Sequence, residues 1–141
     1  WQTMANLLEA LAFIRELQPQ MIGIGPFIPH HATPFKNYPA GTLEQTLTLL
    51  SVLRLMFPKV LLPATTALGT IVPNGRELGI LAGANVVMPN LSPADVRQNY
   101  LLYDNKLCSG AEAAEAKNDL AARLHSIGYE IAEGRGDYKE S

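Results

Sequence analysis

The chain has 141 residues, of which 48% are hydrophobic and 17% charged, a composition typical of one globular domain with a hydrophobic core. The net charge of −2 and the lack of a run of basic residues argue against a nucleic-acid-binding protein, which normally carries a basic face. No apolar segment approaches the roughly 18 residues of a membrane-spanning helix. The single cysteine, Cys108, excludes an internal disulfide and is typical of a cytoplasmic protein.

The first part of the chain predicts a helix, a strand and a long loop. Apolar residues recur at helical spacing between Met4 and Leu17, with Thr3 as a candidate N-cap. Residues 21–25 are apolar and rich in isoleucine and glycine, which indicates a buried strand. A loop with four prolines follows over residues 26–41.

A second helix–strand unit follows this loop. Thr42 and Gln45 have capping-box spacing at the start of a helix that Pro58 ends. Residues 60–62 form the second predicted strand, and its exit is interpreted as a loop as far as Pro73.

The remaining sequence predicts a third unit and a C-terminal region. Asn74 caps a helix that runs to about Leu81 and ends at Gly83, and residues 85–88 form the third strand. The further predicted elements are a helix that begins at Ser92, a helix over residues 111–127 that Gly128 caps, and a fourth strand over residues 129–131.

This alternation of apolar strands and helices implies parallel strands joined by right-handed crossovers. Two architectures fit it: a self-sufficient doubly wound sheet, and part of a (β/α)8 barrel, which needs about 250 residues in full. In both, function lies at the carboxyl ends of the strands. Here the strand exits combine rigid prolines, small residues, hydroxyls and an amide, and they comprise residues 25–31, 63–70 and 88–90.

The strand exits resemble those of the radical S-adenosylmethionine (SAM) superfamily, and more narrowly the FeFe-hydrogenase maturases of the HydE type. The matching stretches are similar to that family's fifth, sixth and seventh strands with their loops, and comprise residues 21–30, 63–77 and 82–90. Tyr100 and Tyr103 continue the match, which covers nearly the whole chain. Biotin synthase shares part of the pattern, but the Pro-Ala-Thr-Thr-Ala run at residues 63–67 favours HydE.

The resemblance implies the C-terminal half of a (β/α)8 TIM barrel, an α/β fold with about four parallel strands and flanking helices. We expect residues 1–132 to form this half-barrel and residues 133–141 to form a flexible polar tail. Because the chain starts at Trp1 and matches only this half, we expect it to be a piece of a longer protein.

The resemblance also implies cofactors. In the full-length family, a Cys-x3-Cys-x2-Cys loop holds a 4Fe-4S cluster that cleaves SAM to start a reaction on a small-molecule substrate. This chain has Cys108 alone and lacks that loop. Neither the cluster nor SAM is therefore expected on this fragment alone, and we expect the fragment to be inactive by itself.

Thr65 and Thr66 are the main candidate substrate-binding residues. Two hydroxyls beside backbone N–H groups at a strand exit can bind a carboxylate, or they can bond to the neighbouring backbone. The residues alone favour the backbone interpretation. The resemblance favours the carboxylate, because the family uses this pair to anchor the anionic group of its substrate.

Further site residues follow from the resemblance. It implies that Pro26 and Ile28 line the SAM adenosine. The residues that it places around the substrate cavity are Met21, Met88, Tyr100 and Tyr103. Taken alone, these side chains are also typical of loop packing and core filling. The adjacent His30 and His31 lack a third ligand at a standard spacing, so no metal site is predicted.

A half-barrel leaves two strand edges unpaired and its inner face uncovered, here expected to be lined by Ile22, Ile24, Leu61 and Val86. The expected partner is therefore the missing N-terminal half-barrel, or a second copy that closes the barrel as a homodimer. Three alternatives remain open: half of a biotin synthase-like radical SAM enzyme, a free-standing α/β module that binds a small anion, and a structural fragment without a ligand site.

Overall fold

A computed structural model describes residues 2–89 and 113–138, which form an α/β unit with a short parallel sheet packed against helices. In chain order, the elements are α1 (Met4–Leu17), α2 (Leu43–Met56), β1 (Pro63–Ala64), α3 (Thr66–Ile71), α4 (Gly75–Leu81), β2 (Val86–Val87) and α5 (Ala113–Ser126). The helix predicted from Ser92 lies outside the described residues. None of the described helices has the length and apolar character needed to cross a lipid bilayer.

The predicted starts of the first two helices are confirmed. Thr3 Oγ1 accepts the Asn6 N–H at 3.2 Å, and Asn6 Oδ1 accepts the Thr3 N–H at 3.0 Å, which completes a capping box. Thr42 Oγ1 accepts the Gln45 N–H at 3.2 Å. These bonds satisfy backbone donors that have no partner inside a helix, so each helix begins where its threonine stands.

Residues 61–64 run between two parallel neighbours. Leu61 forms an isolated parallel bridge with Met21, and the Ile22 N–H donates to Leu61 O at 2.9 Å. On the other edge, Val86 N–H donates to Leu62 O at 3.1 Å, and β1 pairs with β2 in parallel. The parallel arrangement predicted from the alternation of helices and strands is therefore present.

The first predicted strand, over residues 21–25, is reduced to the bridge at Met21. The Leu61 N–H donates to Gln20 O at 3.0 Å, and the next rung of this parallel ladder would need an N–H from Pro63. Proline has no N–H, so the pairing stops there. The second strand, predicted at residues 60–62, is observed as β1 at residues 63–64, with Leu61 in the bridge to Met21.

The fourth predicted strand, over residues 129–131, is wrong: the structure has no strand there, and the described residues show a two-stranded sheet and one bridge in place of about four strands. The backbone donors at this point are used to end α5. Gly128 N–H donates to His125 O, and Tyr129 N–H donates to Leu124 O, each at 3.0 Å. Gly128 has φ +83°, so it closes the helix as predicted, in a Schellman motif.

The register assigns the strand residues to two sides of the sheet, because side chains alternate along a strand. One side packs against the helices: Ile22, Leu62 and Ala64 are buried in one cluster with Leu50 of α2 and Ile80 of α4. The expectation that Ile22 lines an uncovered inner face was therefore wrong.

The opposite side faces away from these helices, and we call it the open face. By register and alternation, its residues are Met21, Gly23, Gly25, Leu61, Pro63, Thr65, Val86 and Met88. Met21 and Met88 are 48% and 53% exposed there. Leu61 and Val86 lie on this side as predicted, whereas Ile24 packs against the helix-side core.

Two glycines of α4 allow this helix to lie very close to α3 and β1. A Cβ atom at Gly75 would lie 2.0 Å from the backbone oxygen of Leu68. A Cβ atom at Gly79, one turn later, would lie 3.0 Å from Leu68 Cδ1 and 3.1 Å from Ala64 Cβ. Both contacts are shorter than ordinary packing distances, so the position of α4 requires glycine at Gly75 and a very small residue at Gly79.

A partly buried ion pair fixes α5 to α4. Glu77 is only 7% exposed, and its carboxylate accepts hydrogen bonds from Arg123 Nε and, at 2.9 Å, from Arg123 Nη2. Arg123 Nη2 also donates to the carbonyl oxygen of Pro73, between α3 and α4. A bidentate pair has a defined geometry, so Arg123 sets the position of α5 against the α3–α4 connection.

Arg54 joins the end of α2 to the turn before β2. Its Nε donates to Gly83 O and its Nη1 to Pro58 O, each at 2.7 Å. Burial lowers the pKa of the Arg54 guanidinium. Gly83 has φ +114°, and a Cβ atom there would lie 2.7 Å from Arg54 Cβ, so this turn requires glycine.

We predict that Gly75→Ala destabilises the protein by about 1–3 kcal/mol, as overpacking commonly does. Alanine is intrinsically favoured over glycine in a helix, so any loss reports the contact with Leu68. Gly23→Ala is the control, because a Cβ atom at Gly23 meets nothing within 4 Å. The free energy of unfolding in urea measures both, and equal values for the two variants would contradict the close approach of α4.

Candidate functional site

The exits of β1 and β2 lie at the same edge of the sheet. Ala64 is paired with Val87, so Thr65 and Met88, the next residues, stand at matching positions beyond the strand ends. Met21 also belongs to the open face, but it is paired with Leu61, four residues before Thr65. At about 3.3 Å per residue, Met21 lies on the order of 13 Å from the carboxyl edge. The structure thus brings Thr65 and Met88 together and leaves Met21 further along the face.

The first and second exits meet at Gly25 and Thr65. A Cβ atom at Gly25 would lie 2.9 Å from Thr65 Oγ1, so the backbone of Gly25 is packed against this hydroxyl. Thr65 Oγ1 is buried and has no hydrogen-bond partner among the described residues. A buried polar atom without a partner typically costs about 1–3 kcal/mol, which marks this hydroxyl as the unsatisfied group of the site.

Thr66 is the first residue of α3, and its hydroxyl has one hydrogen bond to a side chain. Arg76 Nη2 of α4 donates to Thr66 Oγ1 at 3.3 Å. Within residues 2–89 and 113–138, the Thr66 hydroxyl donates to no acceptor. A hydroxyl is both donor and acceptor, so the Thr66 O–H remains available to a ligand.

Other threonines of the chain use their hydroxyls for the local backbone. Thr3 and Thr42 cap helices, and Thr33, Thr46 and Thr70 each donate to a carbonyl oxygen three or four residues earlier. Thr65, although it is the N-cap residue of α3, makes no side-chain cap bond. The backbone-bonding interpretation of the Thr65 and Thr66 hydroxyls therefore does not describe this structure.

The predicted SAM contacts, Pro26 and Ile28, differ in exposure. Pro26 is buried, and the end of the loop packs on it: Gly41 N–H donates to Phe27 O at 2.8 Å. A Cβ atom at Gly41 would lie 3.2 Å from Pro26 Cα. Pro26 thus offers little surface to a ligand, whereas Ile28 is half-buried and retains an accessible side.

The loop histidines are engaged with each other and with the backbone. Their rings stack with centroids 4.4 Å apart, and His30 Nδ1 accepts the Ala32 N–H at 3.0 Å. In the described part of the chain, no three His, Cys, Asp or Glu side chains form a group that could hold a metal ion. Tyr100, Tyr103 and Cys108 lie outside the described residues, so their predicted roles stay predictions.

Three features of the site were not predicted from the sequence: α3 itself, the contact of Gly25 with Thr65, and the hydrogen bond from Arg76. A six-residue helix is too short to show a periodic pattern. The four-residue spacing of Gly75 and Gly79 was the sequence signal that could have indicated the Arg76 contact. Two glycines one turn apart indicate a helix that lies close to its neighbour, and this closeness places Arg76 next to α3.

We predict that Gly25→Ala disturbs Thr65, because the new methyl group would lie 2.9 Å from the hydroxyl oxygen. The expected results are a changed methyl resonance of Thr65 in NMR spectra and a loss of about 1 kcal/mol of stability. Gly23→Ala on the same segment is the matched control and should leave the Thr65 methyl resonance unchanged. A Thr65 resonance unaffected by Gly25→Ala would contradict the contact.

Comparison with known proteins adds a family relationship to this geometry. The chain is 48% identical over 107 residues, 76% of its length, to the [FeFe] hydrogenase maturase subunit HydE of Thermotoga maritima, of which it covers 31%. It is 37% identical over 89 residues, 63% of its length, to the 3-methylornithine synthase of Methanosarcina barkeri, of which it covers 25%.

A second 3-methylornithine synthase, from Methanosarcina acetivorans, is 28% identical over 127 residues, 90% of this chain and 35% of that protein. No protein-family model matches the chain. The chain thus spans about a third or less of the length of these relatives. Its resemblance to the radical SAM maturase HydE, predicted from the strand exits, is confirmed by these matches.

Proposed function

We propose that this chain forms one wall of a radical SAM active site of the HydE type, as the C-terminal half of a (β/α)8 barrel. In this role the chain contributes two parts of the active site, the site for the substrate's anionic group and part of the SAM pocket. The complete enzyme would act in the maturation of FeFe-hydrogenase, and the chain is not active alone. The identity of 48% to HydE supports the family part of this proposal. The geometry of the strand exits supports the proposal that this chain forms a wall of the active site.

The two threonine hydroxyls carry the proposal. Both stand at the carboxyl edge of the parallel strands, where α/β enzymes bind ligands. Neither donates to the described residues, and Arg76 brings a positive charge to Thr66. Hydroxyl donors beside a guanidinium suit a carboxylate, which accepts hydrogen bonds and is negatively charged.

The relatives narrow the substrate class. A 3-methylornithine synthase is named for an α-amino acid, whose carboxylate is its anionic group. We propose that the substrate of this chain is a small molecule of the same chemical class, an amino acid or a derivative of one. Its carboxylate would bind at Thr66, and Thr65 would add its hydroxyl when the contact with Gly25 relaxes.

Of the two cofactors of the family, SAM and the 4Fe-4S cluster, the residues of this chain fit SAM. Ile28 offers SAM an apolar surface next to the first strand exit, and the open face beside it carries the small residues Gly23 and Gly25. When bound in the full-length family, SAM supplies radical chemistry. A 4Fe-4S cluster does not fit, because such a cluster needs about three or four thiolates and the chain has only Cys108. The cluster ligands therefore have to come from another polypeptide segment.

The partner that we propose is the N-terminal half of the barrel or a second copy of this chain. The segment at residues 21–25 is paired on one edge through the bridge of Met21 to Leu61, and Met21 and Met88 of the open face are about half exposed. Added parallel strands would cover both the edge and the face. We propose the cytoplasm as the compartment in which this assembly works.

From the proposed anion site we predict that the chain binds a small amino acid through its carboxylate, and L-cysteine serves as the probe. Titration followed by methyl NMR is expected to shift the Thr66 resonance, and Thr66→Val to weaken the affinity about fivefold or more, the loss of one hydrogen bond. Thr48→Val, at an exposed position of α2, is the matched control. Equal affinity of the Thr66→Val and Thr48→Val variants would contradict the proposed site.

The open edge and face predict self-association of the isolated chain. Sedimentation velocity at micromolar concentration is expected to show a dimer, and Met21→Lys and Met88→Lys to shift it toward monomer, because each places a charge on the open face. Leu55→Lys is the control, since Leu55 is 83% exposed on α2. A monomer at all concentrations would argue against closure of the barrel by a second copy.

A further inference from the structure

We infer that Arg76 is a positioning residue that orients the Thr66 hydroxyl so that its proton points to an acceptor-only anionic group. This inference rests on the proposed function, since it deepens the role of the same site. It assigns to Arg76 a role in distinguishing a carboxylate from other polar groups of the ligand.

The position of Arg76 follows from the glycine before it. Gly75 is the first residue of α4 and lies against the backbone of Leu68 in the middle of α3. The next residue of α4 therefore starts beside α3, and its long side chain reaches the first turn of that helix. Arg76 Nη2 lies 3.3 Å from Thr66 Oγ1 as a result.

The chemistry of the two groups fixes the direction of the hydrogen bond. A guanidinium has only donors, so the Thr66 oxygen has to accept, and its own hydrogen is directed to another group. A cation bonded to a hydroxyl oxygen also strengthens that hydroxyl as a donor, because hydrogen bonds in a chain polarise one another. The pair of Arg76 and Thr66 is therefore suited to an anion and unsuited to an ammonium group.

The neighbouring acid does not face this pair. Glu77 follows Arg76 in α4, but its carboxylate accepts two hydrogen bonds from Arg123 and is buried between α4 and α5. The two adjacent charged residues of α4 therefore act on different sides of the helix, one toward the strand exit and the other toward α5.

The test uses Arg76→Gln, with Arg15→Gln on the exposed side of α1 as the control for the same change in charge. Without ligand, three-bond couplings of the Thr66 methyl group report its χ1 rotamer. We expect one fixed rotamer in the native chain and in Arg15→Gln, and rotamer averaging in Arg76→Gln. An unchanged Thr66 rotamer in Arg76→Gln would overturn the inference.

Binding is then compared for L-cysteine and for cysteamine, which lacks the carboxylate. Arg76→Gln is expected to weaken L-cysteine binding about tenfold, as expected when a charge-assisted hydrogen bond is lost, and to leave any cysteamine binding unchanged. Arg76→Lys keeps the charge and is expected to recover part of the loss. If Arg76→Gln fails to fold, the Thr66 rotamer and the L-cysteine affinity are measured in Arg76→Lys instead. A native rotamer together with native affinity in Arg76→Lys would show that the guanidinium is not needed, and would overturn the inference.

The two proposals fail in different ways. If the native chain binds no L-cysteine while the Thr66 rotamer still depends on Arg76, the anion site is wrong and the positioning by Arg76 holds. If L-cysteine binds with the same affinity to the native chain and to Arg76→Gln, the anion site holds and the role of Arg76 is wrong.

Discussion

The close approach of α4 to α3 and β1 is the constraint on which the candidate site depends. At Gly75 the backbone of Leu68 occupies the space that a side chain would need. At Gly79 the side chains of Leu68 and Ala64 would lie only 3.0 and 3.1 Å from a Cβ atom. This contact holds α3 directly behind the exit of β1, and it places Arg76 beside Thr66. The ion pair of Glu77 with Arg123 joins α5 to α4. The contacts of α4 therefore connect the helical core to the exit of β1.

The division of the sheet into two sides explains which residues build the core and which are available for a ligand. The helix side carries branched and small apolar side chains that are almost fully buried. The open face carries two glycines, a proline, a threonine, the partly buried Leu61 and Val86, and two half-exposed methionines. The two methionines leave apolar area exposed on this face, which fits a surface that is completed by a ligand and by further strands.

The sequence allowed α1, α2, α4 and α5 to be predicted but not α3, and it allowed the strands to be predicted only partly. Helix starts were predictable at Thr3 and Thr42 because one side chain determines each cap, and Gly128 likewise ended α5. The strands were predicted too long because pairing depends on the neighbour: Pro63 interrupts a ladder that the apolar pattern of residues 21–25 would otherwise continue. The side on which Ile22 lies was not predictable either, because it depends on the register, which is a property of two segments.

The most direct test of the central claim, that Thr65 and Thr66 form an anion site at the carboxyl edge of the sheet, is a crystal structure of the chain grown with L-cysteine. We expect the ligand carboxylate to lie within hydrogen-bond distance of Thr66 Oγ1, at the edge where Thr65 and Met88 follow their strands. A carboxylate bound elsewhere, with the Thr66 hydroxyl donating to the backbone of α3, would contradict it.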